Sequence, residues 1–232
     1  MHLHLLELSH TPILEQLQLE EALLRLDDRN FCLINVGSAP SIVMGISSKP
    51  EELIRPDAAL KNIPVIRRFS GGGCVVVGSD TLFVTFIFSK EALPIPHFPE
   101  PILSWSENFY QQALPIQGFQ LRENDFAIGR HKCGGNAQYI KKERWLLHTS
   151  FLWDYHPENM DLLLQPKKIP SYREDRGHRE FLCKLKDHLV DKEEFTAGVK
   201  RELASRFRVA PFSWEEGRLI QQQPHRKSTV VL

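Results

Sequence analysis

Two stretches of this sequence combine glycine with cations closely enough to do chemistry. Residues 66–78 read I-R-R-F-S-G-G-G-C-V-V-V-G, and residues 124–138 read N-D-F-A-I-G-R-H-K-C-G-G-N-A-Q. Glycine loses more conformational freedom on folding than any other residue, so three in succession need a reason. A tight turn between strands is one. The other is a loop whose backbone N–H groups lie against an anionic or bulky ligand, with Arg67 and Arg68 supplying charge. In the second stretch Lys132 precedes Gly134, Gly135 and the small residues Asn136 and Ala137. A backbone of that kind can close on a ligand and deliver one cation. A hairpin loop with a solvated lysine fits the same residues.

Neither stretch is a standard phosphate loop. G-C-V-V-V-G at 73–78 has Walker spacing, but Ser79-Asp80 stands where Lys-Ser/Thr is required, and no helix is expected after it. Val76 occupies the third glycine position of G-x-G-x-x-G. Ser70 lies in F-S-G-G-G and not in a G-x-S-x-G elbow, which argues against a serine hydrolase. Cys133 needs a base to act as a nucleophile, and His131 two residues away supplies no clear one, so thiol catalysis is disfavoured. The ten histidines form no H-x-x-x-H or H-E-x-x-H group, and no protein-held metal is expected. The four tryptophans read as packing residues. The residues alone thus say nucleotide or acyl-phosphate chemistry on paired glycine loops, and no more.

The elements that must position these loops follow from periodicity. Leu3–Leu8 alternates like a strand, and Thr11 to about Asp28 has helical spacing at Leu19, Leu23 and Leu26, with Pro12 at its start. Strands are expected at 31–36, 42–46, 65–66, 125–128, 138–140 and 145–153. Cys74–Val77 and Leu82–Phe88 flank G-S-D-T and read as a hairpin. Pro50–Leu60 is expected to be a short helix or irregular turn. Further helices are expected at 102–113, 179–189 and 193–206. The chain therefore reads as one α/β domain (α+β) over residues 1–212, with many antiparallel pairs, followed by a C-terminal tail at 213–232 that is expected to be loose from Gln221 onward, and no accessory C-terminal domain.

Bulk properties set the class. The chain has 232 residues, 42% apolar, with Lys plus Arg and Asp plus Glu balanced at 29 each. That balance argues against a nucleic-acid partner, and no run is long enough for a membrane span. The N-terminus reads as a strand and not as a signal peptide. The four cysteines are dispersed, so free thiols and a cytoplasmic location are expected.

Taken together, R-R-F-S-G-G-G-x-V-V, N-D-F-A-I-x-x-x-K-x-G-G-N-A-Q and H-T-S-F-L at 148–152 resemble the lipoate–protein ligase A and lipoyltransferase family, in the same order and spacing. Q-L-E-E-A-L-L-R at 18–25 is similar to that family's first helix. The resemblance covers residues 1 to about 212. It implies a mixed, largely antiparallel sheet flanked by helices, as in biotin/lipoate ligase catalytic domains. It also implies attachment of lipoate or octanoate, through an acyl-adenylate formed from ATP with Mg2+, to a lysine of a lipoyl domain. The acceptors implied are lipoyl domains of 2-oxoacid dehydrogenase complexes or the glycine cleavage H protein, with a separate accessory protein as a further partner in adenylation. By this resemblance Lys132 is the catalytic cation. Arg67, Arg68, Ser70, Gly71, Gly72 and Gly73 line the pocket. Asn124 and Asp125 hold the adenylate side, while Gly134, Gly135, Asn136, Ala137 and His148 complete the site.

The sequence departs from the family at two places. Val77-Gly78 stands where relatives commonly have His-Asp, and Gly134 where many have serine. Two alternatives follow: transfer from a pre-activated donor, and a non-catalytic protein that binds acyl groups or nucleotides. The loop G-R-G-R-x-G-R-x-W of biotin ligases is absent.

Overall fold

The computed structural model describes residues 1–56, 62–165 and 169–232. In chain order its first half contains β1 (His2–Ser9), α1 (Ile13–Leu26), β2 (Phe31–Val36), β3 (Ser41–Met44), α2 (Pro50–Leu53), β4 (Val65–Arg67), β5 (Cys74–Val77), β6 (Thr81–Ser89) and α3 (Pro99–Ala113). The second half contains β7 (Phe119–Arg122), β8 (Asp125–Ile128), β9 (His131–Ile140), β10 (Arg144–Leu152), α4 (Pro157–Met160), α5 (His178–Phe181), α6 (Lys192–Arg206), β11 (Arg208–Pro211), α7 (Trp214–Gln221) and β12 (Val230–Val231). Single 3-10 turns lie at Ser171–Arg173 and Leu185–Asp187.

Eight strands form one sheet in the order β11-β1-β2-β6-β10-β9-β8-β7, and four form a second in the order β12-β4-β3-β5. In the large sheet β11, β1 and β2 are mutually parallel, and every later pair is antiparallel. This is the mixed, largely antiparallel sheet flanked by helices that the motifs imply. Strand β6 shows how the layers arise. Leu82, Val84, Phe86 and Phe88 face an aromatic core with Phe109 and Tyr110 of α3 and Phe195 of α6. Ile87 points the other way, packing with Leu19, Leu23 and Leu24 of α1. A strand buried on both faces is a continuous apolar run, which is what T-L-F-V-T-F-I-F shows. Thr85 is the polar exception, and it lies on the α1 face.

Three expectations are corrected. Cys74–Val77 and Leu82–Phe88 do not form a hairpin: β5 pairs with β3 in the small sheet, while β6 lies between β2 and β10 in the large one. The turn signal at Gly78–Asp80 is real, but both faces of β6 demand a central position that β5 does not share. Residues 179–189 are not one helix. After α5 the Cys183 N–H donates to the Lys132 carbonyl at 2.8 Å, so the chain runs extended along β9 before turning at Leu185. The tail from Gln221 onward is not loose: the Ser228 and Thr229 N–H groups donate to the Glu21 carboxylate, and Val230 pairs with Arg67 of β4. Of the expected element at Pro50–Leu60, α2 is seen, and residues 57–60 lie outside the described residues. No described helix is long and apolar enough to cross a membrane.

Candidate functional site

A cavity of about 640 Å³ lies between the β9–β10 face of the large sheet, the small sheet and residues of the segments 160–164 and 170–182. The glycine loop forms one rim. Arg68 explains its shape. The guanidinium is buried and donates to the carbonyls of Gly71 (2.8 and 3.2 Å) and Gly73 (3.0 Å). Burial pulls its pKa down to about 10. Gly72 adopts φ +103°, and a Cβ there would meet Arg68 Nη2 at 2.7 Å. The loop also presses on β3: a Cβ on Gly45 would collide with the Gly72 carbonyl. Gly71 and Gly73 have no such neighbours and border the cavity. Arg68 is thus a loop-holding residue, where the sequence reading has it receiving ligand charge. Arg67 and Ser70 are not among the lining residues, and Ser70 is buried with its hydroxyl unpartnered.

The second motif is not a loop but strand β9, and an irregularity in it decides where the lysine points. Phe126 pairs with Gly134 but Ala127 pairs with Lys132, which leaves Cys133 bulged. The extra residue resets the alternation of faces. Cys133 and Gly134 both turn to the aromatic core, and Lys132 lands on the cavity face with Gly135, opposite the side that strict alternation dictates. Gly134 therefore lies outside the cavity: a Cβ on it would meet the Phe151 ring at 2.7 Å. Lys132 Nζ forms an ion pair with Asp125 Oδ1 at 2.8 Å, and the Tyr172 hydroxyl donates to Asp125 Oδ2 at 3.1 Å. Burial and the neighbouring Asp125 carboxylate push the Tyr172 phenol well up, so it stays a donor. Asn136 holds the turn before β8 by donating to the Asn124 carbonyl at 3.0 Å, and accepts from Thr149 at 2.7 Å.

Arg173 and His178 join Lys132 at this end of the cavity. Arg173 is buried, lies over the Phe181 ring at 4.9 Å, and has Nη2 without a hydrogen-bond partner. His178 also lines the cavity, and burial, then Arg173 and Lys132, lower its pKa. Sequence reading missed both, because a segment of mixed polarity with no period gives no signal.

The other end is held by a buried network around the Glu20 carboxylate. His148 Nδ1 lies 3.0 and 3.1 Å from the Glu20 carboxylate oxygens, and Thr85 donates to Glu20 Oε1 at 2.7 Å. Gln16 donates to the same oxygen at 2.8 Å, and Asn35 to Gln16 at 2.9 Å. A carboxylate only accepts, so Nδ1 donates and Nε2 is left for the cavity. Gln16 and Glu20 sit on an otherwise apolar helix face, the one sequence sign of this network. Between the two ends the walls are apolar: Ile13, Val43, Val77 and Phe83. The arrangement suits an amphiphile with an anionic head at Lys132 and Arg173 and a thin apolar chain behind it.

The fold recurs in solved structures. A lipoate–protein ligase A bound with ATP matches with TM-score 0.71 at 21% identity, covering 96% of this chain and 94% of that one. A bipartite lipoate protein ligase from Thermoplasma acidophilum, solved in a study with its E2 lipoyl domain, matches with TM-score 0.73 at 21% identity, covering 96% and 91%. Among curated proteins, the chain is 28% identical to an inactive lipoate–protein ligase 2 of Plasmodium falciparum over 82% of its own length, and 24% identical to lipoate–protein ligase 1 of Staphylococcus aureus over 81%. It spans 65% and 60% of the length of these two relatives. The model of the lipoyl protein ligase A/B catalytic domain matches residues 12–207, and the chain belongs to that family.

Proposed function

We propose that this chain attaches lipoate or octanoate to the lysine amine of a lipoyl domain, by way of an acyl-adenylate made from ATP. The observation that carries the reading is the Lys132–Asp125 pair on the cavity wall, facing the glycine rim, with Arg173 beside it. A carboxylate and a polyphosphate repel each other, so cations and N–H donors must gather where they meet. The acyl carboxylate oxygen attacks the α-phosphorus, an O–P bond forms, and the bond to pyrophosphate breaks. The acceptor amine then attacks the acyl carbonyl, AMP leaves, and the amine gives up a proton. Lys132 stabilises charge in both steps, first on the phosphoryl oxygens and then on the carbonyl oxygen. Asp125 holds it in place until the anion arrives.

Mg2+ is proposed to enter with the nucleotide phosphates; among the described residues no group of three or more His, Cys, Asp or Glu is arranged to hold a metal. The similarity to a ligase bound with ATP supports the nucleotide, and that to a ligase studied with its E2 lipoyl domain supports the acceptor. Lipoyl domains of 2-oxoacid dehydrogenase complexes and the glycine cleavage H protein are the acceptor class proposed, with a separate accessory protein assisting adenylation. The cytoplasm is the proposed location.

A second reading draws on the likeness to an inactive ligase and on Val77, an apolar wall residue. In it the chain binds acyl groups without activating them, or transfers from a donor activated elsewhere. One experiment separates the readings. An apo-lipoyl domain is incubated with the protein and either lipoate with Mg-ATP or synthetic lipoyl-AMP, and its mass is measured. Modification with both supports the ligase; modification with lipoyl-AMP alone supports the transferase. No modification with either, together with a thermal shift by lipoate, supports the binding protein.

A further inference from the structure

Immediately beside Lys132 the fold brings together two thiols that are 50 residues apart in the chain. Lys132 and Leu182 form a parallel bridge, and the Cys183 N–H donates to the Lys132 carbonyl at 2.8 Å. The next residue on each strand is a cysteine, so Cys133 and Cys183 occupy neighbouring register positions. Adjacent strands run about 4.8 Å apart, which falls within the Cα separation of about 4.4–6.8 Å that a disulfide spans. Both thiols border the same aromatic core, where Cys133 is fully buried and Cys183 half-buried. They also sense each other. Each thiol donates to a backbone carbonyl, Cys133 to Phe126 at 3.4 Å and Cys183 to His131 at 3.3 Å; the neighbouring Cys133 lowers the pKa of Cys183, while burial, then Cys183, pushes Cys133 well up.

We propose that Cys133 and Cys183 are a redox-convertible pair whose disulfide ties residues 177–183 to β9 beside Lys132. The chemistry divides between them. The Cys183 thiolate attacks hydrogen peroxide; an S–O bond forms, the O–O bond breaks, and hydroxide leaves and is protonated to water. The Cys133 sulfur then attacks the Cys183 sulfenic acid, forming the S–S bond and expelling a second water. The two sulfurs together lose two electrons, and the peroxide gains them. A dithiol reverses the step. The tied segment carries His178, Phe181 and Leu182, all of which line the cavity, so the bridge restricts how that wall can open. The other thiols are poor competitors: Cys32 is fully buried, and burial pushes Cys74 up to about 12.

The test needs no assumption about acyl transfer, so its failure and that of the proposed function are distinguishable. The full chain is treated with hydrogen peroxide, alkylated and digested without reduction. A peptide pair linking Cys133 to Cys183, with a mass loss of about 2 Da that dithiothreitol reverses, is the expected result. In parallel, amide exchange over residues 178–187 should slow at least about threefold in the oxidised protein. Cys183→Ser and Cys133→Ser should each abolish the linked pair, and Cys133→Ser should let Cys183 run on to sulfinic acid. The proposal is overturned if wild-type Cys183 reaches sulfinic acid unbridged, if the bridge forms with Cys74 or Cys32, or if both thiols stay reduced.

Discussion

Lys132 is the residue on which the proposed chemistry turns. Its ammonium is 2.8 Å from a carboxylate and on a strand whose glycine neighbour leaves room for it. A positioned donor of this kind contributes about 3–4 kcal/mol to a transition state, so Lys132→Ala should slow acyl transfer from lipoyl-AMP roughly 100- to 1000-fold. Lys132→Arg should not restore the rate, because a forked guanidinium cannot replace a compact ammonium beside Gly135. Lys142 is the control: it is 95% exposed, and alanine there should be silent. Lys141 is a poorer control than its place in a turn implies, since burial lowers its pKa and its ammonium reaches the Leu24 carbonyl at 3.5 Å. A folded Lys132→Ala protein that transfers within about threefold of wild type would falsify the assignment. Arg68 behaves differently. Losing its buried guanidinium removes the hydrogen bonds that hold the Gly71 and Gly73 carbonyls, so Arg68→Ala should cost about 1–3 kcal/mol of stability, read as a lowered melting temperature.

Strand β9 and the glycine rim show that glycines of one motif do unlike work. Gly134 lies against Phe151, and Gly134→Ala should overpack the core by about 1–3 kcal/mol. Gly71 has open space beside it, so Gly71→Ala should leave the melting temperature unchanged and weaken lipoate binding, measured by calorimetry. Equal loss of stability in the two variants would contradict this division. The 3-10 turn after Cys183 has its own tether. Partial burial raises the Asp154 carboxyl, but hydrogen bonds from Lys184 and Lys186 outweigh that and hold it down at about 2. A depressed folded pKa contributes stability above the unfolded value of 3.8, and this is lost as pH falls through about 2. Amide protection over 184–187 should therefore persist at neutral pH and fall between these limits. Unchanged protection at the acid end would show that the tether is unimportant.

Across the molecule the C-terminal segment closes the structure onto the first helix. The buried Glu21 carboxylate accepts from the Ser228 and Thr229 N–H groups at 2.9–3.0 Å and pairs with Arg25 at 2.9 Å. Thr229 in turn accepts from the Phe69 N–H at 3.3 Å, and β12 lies against β4, so this clamp backs the arginine-glycine loop. Glu21→Ala strands those donors and should cost about 3 kcal/mol, or roughly 6–12 °C in melting temperature for a protein of this size. A shift below about 2 °C would mean that the segment adds little.

Local pattern made much of this legible. The β-branched and aromatic runs name six of the eight strands of the large sheet, missing the edge strands β7 and β11, the leucine spacing names α1, and two glycine motifs with Lys132 and His148 bring the family and a candidate site into view. What stayed hidden was non-local. That β5 and β6 part into different sheets depends on which partners can cover both faces of β6, and no turn residue encodes that. Lys132 faces the cavity because the Phe126–Gly134–Phe151 contact forces a bulge at Cys133, and an alternating pattern read along β9 points the lysine the wrong way. Arg67 and Arg68 look equivalent in the chain, yet only the closed loop offers carbonyls to one of them. Thr85, Arg173 and His178 carry no motif. Their roles come from burial beside partners tens of residues away, where an unpaired polar group would be costly.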